Sequence, residues 1–142
     1  MNEDLTLLDS IFKASQTSSR TLNRILMHTE NKALRIALIS HIGEYDTINR
    51  LAGEEMSARG IKPSVKDSLK EKALYLGTGI GIATNPNVSN IAKTVQKSSS
   101  ENVFKISRAM NFNKNSSPTV YNLARKFTVL EEENLKSMKT FF

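Results

Sequence analysis

Apolar residues recur every three or four positions in long segments of the chain, which predicts amphipathic α-helices. The first is expected to run from about Asp4 to His28 and the second from about Lys32 to Arg59. The turn between them, at Asn31-Lys32, is so short that the two helices must be antiparallel neighbours. Gly60 stands where a C-terminal cap is expected, and Pro63 prevents the second helix from continuing.

A second pair of helices follows after an intervening stretch. One helix is predicted from about Asn87 to Asn111, and the last begins at Pro118 and runs to the chain end. The stretch between the pairs, about residues 64–83, has a weaker helical pattern and ends at Asn85-Pro86-Asn87. At 1.5 Å per residue it would span roughly 30 Å, enough to cross the length of a bundle. The chain is therefore predicted to be all-α and a single domain over residues 1–142.

The middle of two predicted helices is small and polar where an apolar stripe would be expected. In the first helix the segment is ASQTSSRT, and in the helix from Asn87 it contains Ser98, Ser99 and Asn102. Side chains of this size allow helices to approach closely, but they can also line a hydrated cavity. The pattern predicts either a tight polar waist or a cavity for a small polar ligand.

Composition excludes several classes of protein. The 142 residues include no Cys, which rules out disulfides, thiolate metal sites and a Cys nucleophile. The first ten residues, MNEDLTLLDS, carry acids where a secretory signal would be positive. No stretch has the 20 or so predominantly apolar residues that a membrane span needs. We expect a cytoplasmic protein without a membrane partner.

The order of two antiparallel helices, a crossover and two more helices resembles the ferritin-like superfamily. Three short stretches are similar to a small bacterial branch of it that lacks the usual di-metal ligands: Glu44-Tyr45-Asp46-Thr47-Ile48, Ser89-Asn90-Ile91-Ala92-Lys93 and Glu131-Glu132-Glu133-Asn134-Leu135-Lys136. The resemblance implies a four-helix bundle with a helical crossover between its second and third helices. In metal-binding members, two helices each supply a Glu and the other two a Glu-x-x-His motif.

That ligand pattern is mostly absent from this chain. The first helix has no acid between Asp9 and Glu30, and no Glu-x-x-His occurs anywhere. A di-metal oxidase site is therefore not expected. A weaker site for one iron or manganese ion would combine four mid-helix residues, His41, Glu44, Glu101 and Glu131. The alternative is a core histidine hydrogen-bonded to a Ser, with the Glu residues on the surface or in salt bridges.

The net charge of +6 arises from one region. Between Lys93 and Lys126 there are seven Lys or Arg residues and one acid, Glu101. Four of these cations fall on one face of a helix and define what we call the basic stripe: Lys93, Lys97, Lys105 and Arg108. A basic stripe favours non-specific nucleic-acid binding or is a solvated face, and no stacking aromatic is expected to accompany it.

These observations predict a non-enzymatic interaction or structural protein, without a cofactor, that forms a homodimer through one bundle face or binds another protein. One alternative is a metal-binding protein or oxidoreductase that uses the His/Glu cluster with iron or manganese. The other is a basic nucleic-acid binder that uses the basic stripe.

Overall fold

The computed structural model describes residues 2–63 and 87–142, and these residues form α-helices without a β-strand. Their bounds are α1 Glu3–Leu26, α2 Lys32–Ala58, α3 Val88–Phe112 and α4 Pro118–Lys139. Each lies within a few residues of the corresponding predicted helix, so the all-α prediction is confirmed. The predicted crossover helix, about residues 64–83, lies outside the described residues.

Local side chains fix where the helices begin and end. Asn2, Asn31 and Asn87 each accept a hydrogen bond from a backbone N–H in the first turn of α1, α2 and α3. At the end of α2, Gly60 has a positive φ of 77°, and the N–H of Ile61 donates to the carbonyl of Met56. This is the Schellman arrangement, and the C-terminal cap predicted at Gly60 is confirmed.

Contacts at the two ends of the bundle give the direction of each helix. At one end, Asp4 in the first turn of α1 pairs with Arg59, just after α2. The same carboxylate accepts a hydrogen bond from the N–H of Ser117, just before α4. At the other end, residues 28–31 of the α1–α2 turn and residues 87, 88 and 91 of α3 line one pocket of about 380 Å³. Helices α1 and α4 therefore run one way, and α2 and α3 run the other.

The four helices bury a common core. Their buried apolar residues recur at the three-to-four spacing of amphipathic helices and include Leu8, Leu38, Ile91 and Phe127. Leu and Ile are the most frequent residues of this core, and Ala, Val and Met supply most of the rest. No helix in residues 2–63 or 87–142 has an apolar stretch long enough to cross a membrane. Polar residues interrupt the core at its middle, and these form the candidate site.

Candidate functional site at the bundle centre

A buried carboxylate with hydrogen-bond donors from several helices occupies the middle of the bundle. Glu131 of α4 is 0% exposed. It belongs to a hydrogen-bonded set, here called the central network, to which each of α1 to α4 contributes: Ser18, Tyr45, Ser99, Asn102, Glu131 and Asn134. The two asparagines and Glu131 lie on the buried faces of α3 and α4, which are mostly apolar. The central network therefore joins four helices through the carboxyl group of Glu131.

Both oxygens of the Glu131 carboxylate accept hydrogen bonds. Oε1 accepts from the hydroxyl of Tyr45, from Nδ2 of Asn134 at 3.1 Å and from Oγ of Ser99 at 3.3 Å. Oε2 accepts from Nδ2 of Asn102, which also donates to Oγ of Ser18 at 2.7 Å. An amide nitrogen carries two hydrogens, so Asn102 can make both bonds at once. The carboxylate is thus satisfied without a cation.

Burial governs the protonation of the central network. It raises the pKa of Glu131 above the ordinary value, against the opposing effect of the hydrogen bonds it accepts. Burial and the adjacent Glu131 charge also raise the pKa of Tyr45 well above its ordinary value. Tyr45 therefore keeps its proton and remains the donor of the pair. Because each donor is neutral, the network surrounds the Glu131 carboxylate with oriented hydroxyl and amide dipoles.

His41 lies one helical turn from Tyr45 on the core face of α2, and it is buried. Its Nδ1 has no hydrogen-bond partner among the described residues. The expectation that a Ser would bond it is therefore wrong for this nitrogen. Burial lowers the pKa of His41 from 6.5 to about 4, so the imidazole is neutral near pH 7.

The four residues predicted as metal ligands have different surroundings. Glu131 and His41 are buried, Glu44 is half-buried, and Glu101 is exposed on α3. Burial and the nearby charge of Glu133 raise the pKa of Glu44. In residues 2–63 and 87–142, no three His, Asp or Glu side chains lie close enough together to hold a metal ion.

The donor set at Glu131 also differs from that of a metal centre. Metal-binding carboxylates offer their lone pairs to the ion, whereas hydrogen atoms of neighbouring side chains occupy both oxygens of Glu131. Iron and manganese sites in such bundles use several carboxylates and histidines that share the ions. One carboxylate surrounded by hydroxyl and amide donors does not fit that chemistry.

The small residues of the waist bond directly to neighbouring helices. Oγ of Ser19 donates to Oδ1 of Asp46 on α2 at 2.5 Å. Nδ2 of Asn49 donates to Oγ of Ser15 at 3.2 Å and to the carbonyl of Phe12. Of the two arrangements predicted from the sequence, these contacts favour a tight polar waist.

The basic stripe lies on the outer face of α3. All four of its cations are exposed, and within the described residues no ion pair joins any of them to an acid. Two aromatic side chains accompany them: Phe104 is 68% exposed and Phe112 is 71% exposed, with the Arg108 guanidinium 5.5 Å from the Phe112 ring centroid. The expectation that no aromatic accompanies the stripe is wrong. Phe104 follows Lys97 by seven residues, or about two helical turns. This spacing places both side chains on one face of the helix, so the sequence could have predicted the aromatic.

The described residues define an all-α protein in which two antiparallel helix pairs share one core with a polar centre. Comparison with known proteins finds no family model, no curated protein and no solved structure that matches this chain.

Proposed function

We propose that this protein is a non-enzymatic, ferritin-like helical bundle whose role is structural or to bind another protein, and whose metal site is absent or vestigial. One observation carries the proposal. The fully buried Glu131 carboxylate accepts hydrogen bonds from four neutral side chains and needs no ion to satisfy it. Where an enzyme of this class would hold metal, the chain has a structural hydrogen-bond network.

The helix directions support the ferritin-like part of the proposal. Helices α2 and α3 run the same way, because α2 ends beside Asp4 and α3 begins beside the α1–α2 turn. Consecutive parallel helices need a connection between opposite ends of the bundle, as in ferritin-like folds with one crossover. The predicted helix over about 64–83 has the length for such a connection.

The chemistry of the centre supports the absence of catalysis. A catalytic acid or base must reach its substrate within hydrogen-bond distance. Glu131 and Tyr45 are buried and bonded to each other, and Ser99 donates to the same carboxylate. None of the three is left open to a reacting molecule. A satisfied polar cluster of this kind rigidifies a core and specifies how helices pack.

The metal content of untagged protein, purified without chelator and then offered iron or manganese, tests this proposal. We expect no stoichiometric metal in the wild type, in His41→Ala or in Glu131→Gln. Glu132→Gln is a matched control, because it removes an exposed carboxylate next to Glu131 that is not among the four predicted ligands. Near-stoichiometric metal that is lost in His41→Ala and Glu131→Gln but kept in Glu132→Gln would overturn the proposal in favour of the metal-binding alternative.

A second candidate, non-specific binding of single-stranded nucleic acid, is favoured by the exposure of Phe104. Proteins of that class combine cations that contact phosphates with aromatic rings on which bases stack. The ring of Phe104 lies on the same face as Lys97 and Arg108, and it is exposed. With only two large apolar side chains, this face lacks the broad apolar surface of a membrane-interface helix.

Fluorescence anisotropy with a labelled single-stranded oligonucleotide tests the second candidate at several salt concentrations. Binding should weaken steeply with salt, and Lys97→Gln should reduce the slope of log K against log salt by about 0.7–1. Phe104→Ala should weaken binding with little change in that slope. The matched control is Val129→Ala, which truncates an exposed apolar side chain on α4. Failure to bind at low salt would exclude this candidate.

A further inference from the structure

A second exposed ring lies on α3 beyond the one that the nucleic-acid candidate uses. Phe112, the last residue of α3, is 71% exposed, and Phe104 is 68% exposed. The core face of the same helix is formed by other residues, such as Ile91 and Ile106. A single exposed apolar side chain is ordinary on a protein surface. Two exposed phenylalanines beside four cations on one helix form a surface that a ligand can use.

Both rings and the basic stripe occupy one side of α3. At about 100° per residue, Phe112 lies about 80° round the helix from Phe104, and Arg108 lies midway between them. The other three cations of the basic stripe fall within the same third of the circumference. Glu101 is the only acid of α3. Phosphates are therefore attracted to the side of the helix that also presents both rings.

The distance between the rings suits a nucleic-acid strand. Phe104 and Phe112 are eight residues apart, which corresponds to about 12 Å along the helix axis. Stacked bases of one strand are about 3.4 Å apart, so the two rings can take bases about three or four positions apart, or nearer neighbours in a more extended strand. From Lys93 to Phe112 the face spans about 29 Å, or about eight stacked nucleotides.

Arg108 connects the two rings. Its guanidinium lies 5.5 Å from the centroid of the Phe112 ring, which is a cation–π contact that orients this ring. Most of the ring stays exposed and open to a base. Within the described residues, no acid pairs with Arg108. A guanidinium has five N–H donors, so it can contact a phosphate while it remains near the ring.

We propose that Phe112 is a second stacking position and that a single nucleic-acid strand lies along α3, with bases on Phe104 and Phe112 and a phosphate at Arg108 between them. The inference rests on the second candidate function and specifies the course and length of its ligand. Cations alone attract any polyanion. The two rings favour a strand of bases over an acidic peptide, because every base has a flat face that stacks on an aromatic side chain, whereas a carboxylate has none.

A fluorescence reporter tests the inference, because the chain contains no Trp. In Phe112→Trp, a thymidine decamer should quench the indole emission when a base stacks on it. An abasic strand of the same length and charge should bind at least fivefold more weakly and cause little quenching. Phe142→Trp is the matched control: Phe142 is 55% exposed but follows α4, at the opposite end of the bundle from Phe112. Its emission should not change.

Fluorescence anisotropy of a labelled oligonucleotide gives a second readout. Phe112→Ala should weaken binding at least fivefold without a change in the salt slope, whereas Phe142→Ala should have no effect. Affinity should rise steeply with oligonucleotide length up to about eight nucleotides and only slightly beyond.

The possible failures separate this inference from the second candidate function. If the wild type binds the decamer, then an unquenched Phe112→Trp, an unaffected Phe112→Ala or an abasic strand that binds equally well would overturn this inference alone. Polyglutamate that binds as tightly as the decamer, or no binding of the decamer at low salt, would overturn the second candidate as well.

Discussion

The hydroxyl of Tyr45 on α2 donates a hydrogen bond to Oε1 of Glu131 on α4, and both side chains are buried. The two residues are 86 positions apart in the chain, on helices of different pairs. This bond therefore ties the first helix pair to the second at the centre of the core. Asn134 strengthens the link, because its Nδ2 lies 3.1 Å from Glu131 and 3.4 Å from the Tyr45 hydroxyl.

Tyr45→Phe should lower the free energy of unfolding by about 1–3 kcal/mol, since it leaves a buried carboxylate with one donor fewer. The ring contact with Phe127, at 6.1 Å between centroids, should survive. Tyr121→Phe is the matched control: Tyr121 is half-buried, and the change should shift stability by no more than about 0.5 kcal/mol. Urea unfolding of both variants measures the difference, and equal effects would show that the Tyr45 hydroxyl has no special role.

Glu131→Gln should change how stability depends on pH. In the unfolded chain this carboxyl ionises near 4.5, whereas burial raises its pKa in the folded protein. Between those two values the folded state holds the extra proton, so the contribution of Glu131 to stability falls as pH rises. Gln cannot titrate, and its unfolding curve should lack that fall.

The measurement is the free energy of unfolding of the wild type minus that of Glu131→Gln, taken at intervals above pH 4.5. It should decrease steadily as pH rises through the folded pKa. Glu101→Gln, which removes an exposed carboxyl, controls for the loss of one negative charge. A difference that increases with pH would mean that hydrogen bonding to the carboxylate outweighs its burial.

His41 should act in the opposite direction. Its pKa is lowered from 6.5 to about 4 by burial, so the unfolded chain binds a proton over that range while the folded protein does not. The contribution of His41 to stability is therefore present above pH 6.5 and lost as pH falls towards 4. The full loss is about 3 kcal/mol, at 1.36 kcal/mol per pKa unit.

His41→Leu should remove this acid sensitivity while it preserves an apolar core. The free energy of unfolding of the wild type minus that of the variant, measured by thermal unfolding from pH 4 to pH 7, should rise with pH. An NMR titration of the imidazole gives an independent check. Titration of the folded protein near pH 6.5 would show that the His41 ring is accessible to water.

The helices could be predicted from the sequence because their signals are local. Asn31 and Asn87 precede apolar stripes, and Gly60 ends α2 where a left-handed residue is needed. Each such signal acts within one turn of its own helix. The short turn at Asn31-Lys32 likewise predicts that α1 and α2 are antiparallel, but the orientation of this pair relative to α3 and α4 depends on contacts such as that of Asp4 with Ser117, 113 residues apart. No pattern within either segment contains that information.

The central network was only partly predictable for the same reason. Asn102 and Asn134 lie on the core stripes, which is a signal that they need partners in the interior. The partners of these two asparagines depend on how α3 and α4 pack and on how far one helix is shifted along its axis relative to the other. Glu101 and Asn102 illustrate the sensitivity: they are neighbours about 100° apart on the helix, and the structure buries the amide and exposes the acid.

The contact between Asp4 and Arg59 gives the last prediction, which concerns the end of the bundle. Their side chains are 15% and 25% exposed and 3.2 Å apart, and Asp4 also accepts the N–H of Ser117 at 2.6 Å. Burial tends to raise the pKa of Asp4, but its hydrogen bonds to Ser117 and the charge of Arg59 lower it overall. The carboxylate thus stabilises the fold above its unfolded pKa near 3.8, and this contribution is lost as pH falls through the folded pKa.

Asp4→Asn should therefore lower stability by about 1–3 kcal/mol at pH 7 and by much less at low pH, where the wild-type carboxyl is also neutral. Asp9→Asn is the matched control, because Asp9 pairs with Lys13 in the same helix, at side-chain exposures of 45% and 65%. That exposed pair should contribute at most about 0.5 kcal/mol. Equal losses for the two variants would mean that Asp4 does not hold α1, α2 and α4 together at this end, and that the helix ends meet there through apolar packing alone.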